Sequence, residues 1–268
     1  MRYAVMSDAH ANPVALAEAV ADARKRGCRR FIMLGDVTGY GYDVNETLKL
    51  VRENFDVVLM GNHDSACIGL EPEYEVVSNR NYRVDVRQRE SLDEESREWL
   101  RTRPYLHTEG GMAFVHGDFT NPAAWNYVFS VQDAVVEFFS RPERILFCGH
   151  THHAAVWERS GCGAVRPRLF RHLAQPAVRP DTRSIKLKEG SRYIVNVGSI
   201  GYSRIDRCST YAIYDSDADR IAIRRFPVDF VAYAAALDNA GISQPLWLHD
   251  VIERLALTGK PTQEKKLT

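Results

Sequence analysis

Aspartate, histidine and asparagine side chains recur in short motifs, each of which follows an apolar stretch of the chain. The motifs are Asp8-Ala9-His10, Gly35-Asp36, Gly61-Asn62-His63-Asp64, His116-Gly117-Asp118 and Gly149-His150-Thr151-His152. Carboxylates, imidazoles and amide oxygens suit intermediate divalent ions such as manganese, iron or zinc. Asp36 could bridge two such ions. A pair of cations about 3.5–4 Å apart can clamp both reacting oxygens of an in-line displacement at phosphorus. The motifs therefore indicate hydrolysis of a phosphate ester.

The apolar stretches before these motifs predict the strands that must position them. Strands at residues 2–7, 30–34 and 56–60 alternate with helices at 13–26 and 45–53, which favours parallel pairing with right-handed crossovers. Two further strands end before His116 and His150. In open α/β sheets the ligand crevice lies beyond the carboxyl ends of the strands. We therefore expect five strands to deliver the polar side chains to one rim.

The remaining elements are predicted from turn residues and apolar periodicity. Residues 65–103 are polar and helical in pattern, with an amphipathic helix at 91–100, and form a possible cap over the site. A hairpin is expected around residues 109–111 and a helix at 131–140. From residue 154 the chain becomes β-rich, with strands predicted at 154–159, 165–173, 184–188, 192–197, 209–215 and 220–226. We expect one domain over 1–258 that ends in two helices within 228–258, followed by a disordered tail, 259–268.

The composition argues against several other classes of protein. The 35 basic and 35 acidic residues balance, so no basic excess indicates an extended nucleic-acid surface or an anionic membrane as partner. The five cysteines form no CxxC pair, which argues against zinc ribbons and redox motifs. No apolar run is long enough to span a bilayer or to form a signal-peptide core. We therefore expect a cytoplasmic protein with reduced, mostly buried thiols.

Taken together, the motifs resemble those of the calcineurin-like metallophosphoesterase superfamily, and the resemblance runs from residue 1 to about residue 226. Gly39-Tyr40-Gly41 and residues 197–201 resemble its small bacterial branch, which is phosphodiesterase-like or diadenosine-tetraphosphatase-like. The resemblance implies an α/β fold of four layers, an α/β/β/α sandwich with two mixed β-sheets face to face, known as the metallo-dependent phosphatase fold.

The same resemblance implies a cofactor of two divalent metal ions, which could be manganese, iron, zinc or nickel. Catalysis is expected from His63, a general acid or transition-state stabiliser beside the phosphate, and from Asp64, which would orient His63. The implied reaction is hydrolysis of a phosphomonoester or phosphodiester by a metal-bound hydroxide. The resemblance assigns Asp8, His10, Asp36 and His152 to one metal, and Asp36, Asn62, His116 and His150 to the second.

The chain departs from the superfamily at two substrate-facing motifs. Gly39-Tyr40-Gly41 stands where protein serine/threonine phosphatases have Asp-Arg-Gly, so an arginine used on phosphate is missing and a phosphoprotein substrate is disfavoured. Tyr202-Ser203-Arg204 replaces the branch's Gln-Pro-Arg. Arg204 is retained, and it either binds the substrate phosphate or is a solvated loop arginine. The expected partner is a small phosphorylated or nucleotide substrate, and an oligomer is possible.

Two other functions remain open at this point. The first is hydrolysis of dinucleoside polyphosphates, in which aromatic residues such as Trp125 and Tyr127 hold the base; the simpler interpretation is that these rings pack under a loop. The second is a non-catalytic scaffold of the same fold, which loss of metal ligands would have indicated. The basic stretch 159–188 is interpreted as a solvated hairpin face in preference to a flap that attracts anions. His153 is expected to point away from the metals.

Overall fold

Twelve β-strands, grouped into two sheets, form the framework of the part of the chain that the structure describes. The computed structural model describes residues 1–71, 83–169, 181–202 and 208–245 together with Leu248 and Ile252. The strands are β1 Arg2–Met6, β2 Arg30–Met33, β3 Val57–Val58, β4 Leu106–Glu109, β5 Met112–Val115, β6 Ile145–Cys148, β7 Ala155–Arg159, β8 Val165–Pro167, β9 Asp181–Lys186, β10 Arg192–Asn196, β11 Cys208–Asp215 and β12 Arg220–Pro227.

Seven α-helices accompany these strands within the described residues. They are α1 Pro13–Lys25, α2 Val44–Asn54, α3 Asn62–Cys67, α4 Arg83–Ser91, α5 Glu94–Arg101, α6 Val131–Ser140 and α7 Phe230–Asn239. The start of α1 follows directly from the sequence: Pro13 occupies the first turn, and the side chain of Asn12 accepts a hydrogen bond from the backbone N–H of Ala15.

Both sheets are mixed, and each carries parallel strands that end at the candidate motifs. The first sheet has the order β3-β2-β1-β11-β12-β9, with β1, β2 and β3 parallel to one another. The second has the order β4-β5-β6-β10-β7-β8, with β5, β6 and β10 parallel. The five strands that precede the motifs are therefore β1, β2, β3, β5 and β6, as the sequence predicts.

Three apolar layers hold the sheets and helices together, as the four-layer sandwich requires. The middle layer joins residues of both sheets, for example Val5 and Ile32 of the first with Phe114 and Phe147 of the second. A second layer lies between the first sheet and helices α1 and α2, and a third packs α6 on the second sheet through Phe138. Burial of such side chains contributes roughly 1.5–3 kcal/mol each and is the main force that holds the layers together.

The segment at 65–103 differs from its prediction in two ways. The helix expected at 91–100 is α5 and starts three residues later, because Asp93 caps it by accepting from the backbone N–H of Ser96, and Ser91 ends the preceding helix α4. The segment also has more core character than its polar composition indicates. Leu92 and Leu100 are both buried in the apolar layer that covers the first sheet.

Described members of the basic stretch 159–188 are engaged in ion pairs. Glu158 is buried and lies within 3.4 Å of Arg166, Arg168 and Lys188. A buried carboxylate needs such partners, because it has lost its hydration. These contacts agree with the structural interpretation of the stretch. The predicted strand at 165–173 is confirmed over Val165–Pro167, and residues 170–180 lie outside the described residues.

The C-terminal part forms a separate compact unit, residues 228–268. Its helix α7 confirms the first of the two predicted helices, with Asp229 as the N-cap that accepts from Val231 and Ala232. The second predicted helix and the tail fall almost wholly outside the described residues. None of the described helices is long and apolar enough to cross a membrane. The five cysteines are free thiols, four of them buried and Cys162 exposed.

Helix α1 is joined to the first sheet by a polar contact at Asp22 as well as by its apolar face. The carboxylate accepts hydrogen bonds from Arg224 of β12, from the Tyr211 hydroxyl of β11 and from Arg26. Partial burial disfavours the charged carboxylate, but these three donors outweigh that effect and lower the pKa of Asp22 to about 2.

Replacement of Asp22 by Asn is therefore expected to destabilise the protein in a pH-dependent way. Because the folded-state pKa lies below the unfolded value of about 4, the stabilisation is complete above that pH and is lost as the pH falls through about 2. We expect Asp22→Asn to cost about 1 kcal/mol at pH 7, since water partly screens the contact. Urea unfolding at several pH values measures this, with Glu18→Gln on the exposed face of α1 as control. An equal loss at pH 7 and pH 2.5 would contradict the ion-pair account.

Candidate metal centre

The residues that follow the strands are held in an unusual backbone conformation. Five of the candidate ligands have positive φ angles between 45° and 64°, in the left-handed region that non-glycine residues seldom adopt. Such a conformation costs of order 1–3 kcal/mol and persists only where the surroundings enforce it. Tight left-handed turns at the strand ends direct these side chains to one place. The five residues are Asp8, His10, Asp36, His150 and His152.

Two buried carboxylates connect the motifs to one another. One oxygen of Asp8 accepts the backbone N–H of His150 at 3.1 Å, and one oxygen of Asp36 accepts the backbone N–H of His63 at 2.9 Å. The second oxygen of each carboxylate accepts no hydrogen bond, although both side chains are fully buried. Each aspartate therefore uses one oxygen to fix a neighbouring loop and presents the other to the site.

The first group of potential ligands surrounds the free oxygen of Asp8. The His152 Nε2 atom lies 3.1 Å from Asp8 Oδ1, and His10 Nε2 lies 3.7 Å from the same oxygen and 3.7 Å from Asp36 Oδ2. The donor atoms of these four residues all lie within 4.8 Å of one another. The spacing is short enough for one cation to contact all four.

The second group surrounds the free oxygen of Asp36. The His116 Nε2 atom lies 3.3 Å from Asp36 Oδ2, 3.2 Å from Asn62 Oδ1 and 3.1 Å from His150 Nδ1. The donor atoms of Asp36, His116 and His150 lie within 4.8 Å of one another. Asp36 belongs to both groups, as the sequence predicts for a bridging carboxylate.

The hydrogen-bond partners of His10 and His152 show which ring nitrogens face the first group of ligands. They therefore show whether this group suits a cation. The Nδ1 atom of His10 lies 2.8 Å from the Thr38 carbonyl, and that of His152 lies 2.6 Å from the Tyr202 carbonyl. A carbonyl only accepts, so each Nδ1 carries a hydrogen and each ring turns its Nε2 atom towards the site. These two nitrogens lie 3.1 Å apart. Two imidazole nitrogens beside a buried carboxylate oxygen form a donor set that suits a divalent cation.

Comparison with known proteins identifies the family of the chain. Residues 1–219 match the sequence model of the calcineurin-like phosphoesterase superfamily domain. The chain belongs to this superfamily. The match covers all of the motifs described above, and the two groups of Asp and His residues within it could hold metal ions.

Two relatives match nearly the whole length of the chain, and a third matches about a third of it. A metallophosphoesterase from Sphaerobacter thermophilus has a similar structure, with a TM-score of 0.76 and 29% identity over 92% of this chain and 97% of that one. An uncharacterized protein of Methanocaldococcus jannaschii is 29% identical over 91% of this chain and 94% of its own length. A symmetrical bis(5'-nucleosyl)-tetraphosphatase of Methylococcus capsulatus is 32% identical, but over only 36% of this chain and 34% of that protein.

The electrostatics of the cluster keep its carboxylates charged. Burial opposes the charged form of Asp36, but His116 and His63 outweigh it and hold its pKa well below the ordinary value. The pKa of Asp8 is likewise held low, since His152 and His10 outweigh its burial. Burial lowers the pKa of His10 to about 4, so its ring is neutral at pH 7. Charged oxygens and a neutral His10 ring are forms that bind metals. Burial opposes the charged form of His116, but Asp36 outweighs it and raises the pKa of His116 to about 9, so this ring must lose a proton when it binds a metal.

The contacts of His63 correct one of the sequence predictions. Asp64 does not hydrogen-bond to His63; its two oxygens accept the backbone N–H groups of Thr38 and Gly61 at 3.0 and 3.1 Å. Burial and the charge of Asp36 raise the pKa of Asp64 to about 7. The direct partner of His63 is Asp85 of α4, whose oxygens lie 2.9 and 3.1 Å from His63 Nδ1.

Aromatic side chains lie on both sides of the cluster. Tyr40 and Tyr202 stack with ring centroids 4.2 Å apart, and Tyr40 also packs 4.5 Å from His63. On the other side Tyr127 stacks on His150 at 4.3 Å and remains 52% exposed. Tyr127 belongs to a loop organised by Asp118, whose carboxylate accepts the backbone N–H groups of Thr120, Asn121 and Asn126.

The remaining predicted site residues have different outcomes. Arg204 lies outside the described residues, so its two interpretations stay open. His153 is buried and packs near Phe129, and it is not part of either potential metal-binding group in the described chain. The sequence prediction missed Asp85 and Gln88, both buried on α4. Asp85, Gln88 and Leu92 are spaced three and four residues apart, as are residues on one face of a helix. A search for apolar periodicity does not detect this face, because two of the three residues are polar.

Gly61 is required by the close approach of Asp36. A Cβ atom at Gly61 would lie 2.2 Å from Asp36 Oδ1 and 2.3 Å from the Asp36 nitrogen. We expect Gly61→Ala to displace Asp36, to lower the free energy of unfolding by about 1–3 kcal/mol and to weaken metal binding. Gly161→Ala is the control, because its nearest neighbour lies 3.5 Å away. Urea unfolding and metal titration measure both effects, and equal behaviour of the two variants would contradict the steric argument.

Proposed function

We propose that this phosphoesterase hydrolyses a small phosphomonoester or phosphodiester with two divalent cations bound in the cluster. The observation that carries the proposal is the pair of buried oxygens, Asp8 Oδ1 and Asp36 Oδ2, that accept no hydrogen bond and face histidine nitrogens. An uncompensated buried carboxylate oxygen is costly, and a cation removes that cost. The proposed ligands are Asp8, His10, Asp36 and His152 for one ion, and Asp36, Asn62, His116 and His150 for the other.

The residues around the two ions have separate tasks in this proposal. Cations at these positions would supply hydroxide near neutral pH and neutralise charge that develops on the phosphate. Asp36 holds the two positions next to each other, because its free oxygen lies 3.3 Å from His116 Nε2 and 3.7 Å from His10 Nε2. His63 lies at the edge of the cluster and donates a proton to the departing alcohol. We propose manganese, iron, zinc or nickel as the metal and the cytoplasm as the location.

Two substitutions separate metal binding from proton transfer. His63→Ala is expected to lower kcat by about 10²–10⁴-fold and to leave the metal content intact, because His63 is not a ligand. Asp36→Asn is expected to lower both, because it removes the shared charge. Metal-free protein is loaded separately with manganese, iron, zinc, nickel and magnesium, then assayed for bound metal and for hydrolysis of a phosphoester panel. His107→Ala is the control, since His107 pairs with Glu109 on β4, away from the cluster.

The outcomes of this experiment are distinct. Full activity in Asp36→Asn would refute the bridging role. Loss of metal in His63→Ala would place His63 among the ligands. A wild-type protein that binds two metal ions but hydrolyses no phosphoester would favour the alternative of a non-catalytic metal-binding scaffold.

A second candidate function is hydrolysis of a dinucleoside polyphosphate such as diadenosine tetraphosphate. The specific observation in its favour is Tyr127, a half-exposed ring that stacks on the proposed ligand His150. A nucleobase could stack on its outer face while the phosphates reach the cations. The partial similarity to a bis(5'-nucleosyl)-tetraphosphatase supports the same idea over about a third of the chain.

Substitution of Tyr127 tests this second function. Stacking of a base on an aromatic ring is worth about 1–3 kcal/mol. Tyr127→Leu should therefore lower kcat/KM for diadenosine tetraphosphate about 5- to 100-fold relative to that for glycerol phosphate, which has no ring. Tyr127→Phe keeps the ring and should keep the ratio. The second function is excluded if the wild-type protein does not turn over the dinucleotide.

A further inference from the structure

Helix α4 is a polar helix that directs polar side chains into the interior. Asp85 is fully buried and Gln88 is 6% exposed, although neither lies in any of the sequence motifs. Burial of such groups costs free energy unless they are hydrogen-bonded. Their hydrogen-bond partners therefore indicate the role of the helix. All of these partners lie beside the candidate metal-binding cluster.

The first partner is the imidazole of His63. Both oxygens of Asp85 lie within 3.1 Å of His63 Nδ1, and both side chains are buried. Because a carboxylate accepts, the Nδ1 atom of the ring carries a hydrogen, and Asp85 sets the direction of that bond. That ring is packed 5.0 Å from His10 and 4.5 Å from Tyr40, so rotation is restricted as well.

The second partner is the turn at residues 39–41. The side chain of Gln88 accepts the backbone N–H of Gly39 at 2.7 Å and donates to the Gly41 carbonyl at 3.1 Å. Gly39 has φ +85°, and a Cβ there would lie 2.5 Å from His63 Nδ1 and 3.0 Å from Asp85 Oδ1. The turn thus packs directly on the contact between the histidine and the aspartate.

The third partner is the end of helix α3, the helix that carries His63. Arg89 donates to the carbonyl groups of Ala66 and Cys67. Those carbonyls belong to the last turn of α3, where the regular helical hydrogen bonding ends. Side chains of α4 therefore hold the His63 ring, the turn at residues 39–41 and the end of helix α3 in place.

We propose that Asp85 is the positioning residue of His63 in ester cleavage, and that α4 belongs to the catalytic apparatus. This inference rests on the proposed function. In the reaction, the protonated ring keeps its Nδ1 hydrogen on Asp85 and gives the hydrogen on Nε2 to the departing oxygen, which leaves the neutral tautomer with hydrogen on Nδ1. Asp64 does not take this role, because its oxygens accept from the backbone of Thr38 and Gly61, whereas those of Asp85 contact the His63 ring.

The experiment compares Asp85→Asn, His63→Ala and the double variant with the wild-type protein. Asn has nearly the shape of Asp, but its amide can present N–H groups to the ring and favour the other tautomer. We expect Asp85→Asn to lower kcat about 10- to 100-fold with unchanged KM and metal content. In the His63→Ala background the same substitution should change kcat less than twofold, because there is no ring left to orient. Glu90→Gln, on the exposed face of α4, is the control and should keep the wild-type kcat.

A second measurement does not depend on activity. Long-range ¹H–¹⁵N spectra of the metal-free protein distinguish the two tautomers, and the His63 signals are identified by their loss in His63→Ala. The wild-type protein should carry hydrogen on Nδ1, and Asp85→Asn should shift or broaden these signals. An Nδ1 atom without hydrogen in the wild type, or a kcat loss from Asp85→Asn that persists in the His63→Ala background, would overturn the inference. A wild-type protein that cleaves no ester would refute the proposed function, whereas the tautomer would still test the contact.

Discussion

The organisation of this site depends on the different contacts made by the two carboxylate oxygens of each buried aspartate. For Asp8 and Asp36, one oxygen binds a backbone N–H of a distant loop and the other has no protein donor. The first bond places the loops that carry His150 and His63. The second oxygen favours binding of a cation beside it, because an uncompensated charge in a buried position is strongly unfavourable. Folding of the loops and affinity for cations therefore arise from the same two side chains.

The backbone strain at the strand ends accompanies the convergence of these side chains on one place. Five non-glycine residues adopt left-handed φ angles where the strands end. Each turn costs stability, and the three apolar layers of the sandwich supply the compensating stability. The chain thus places its rigid parts in the sheets and its strained parts at one rim. This arrangement allows side chains from residues 8 to 152 to meet within a few ångströms of one another.

Much of this arrangement could be predicted from the sequence, because strand ends and tight turns leave local signals. The strands before Asp8, Asp36 and His150 were predictable from apolar runs that stop at polar motifs. Asp85 was not, because its helix packs through polar contacts and gives no apolar period. Asp64 was assigned to His63 from proximity in sequence, whereas two backbone N–H groups bind it instead. The order of the strands within each sheet depends on long-range register, which short motifs do not encode.

The loop at residues 118–127 differs from the rest of the rim in how it is built. Its shape comes from a single carboxylate, Asp118, that gathers three backbone N–H groups of the loop itself. Neither oxygen of Asp8 or Asp36 participates in it. Tyr127 can therefore be exchanged, or the loop lengthened, without rearrangement of the ligand-bearing turns. Related chains could acquire new substrates by variation at this one position of the rim, while the hydrolytic chemistry beside it is inherited unchanged.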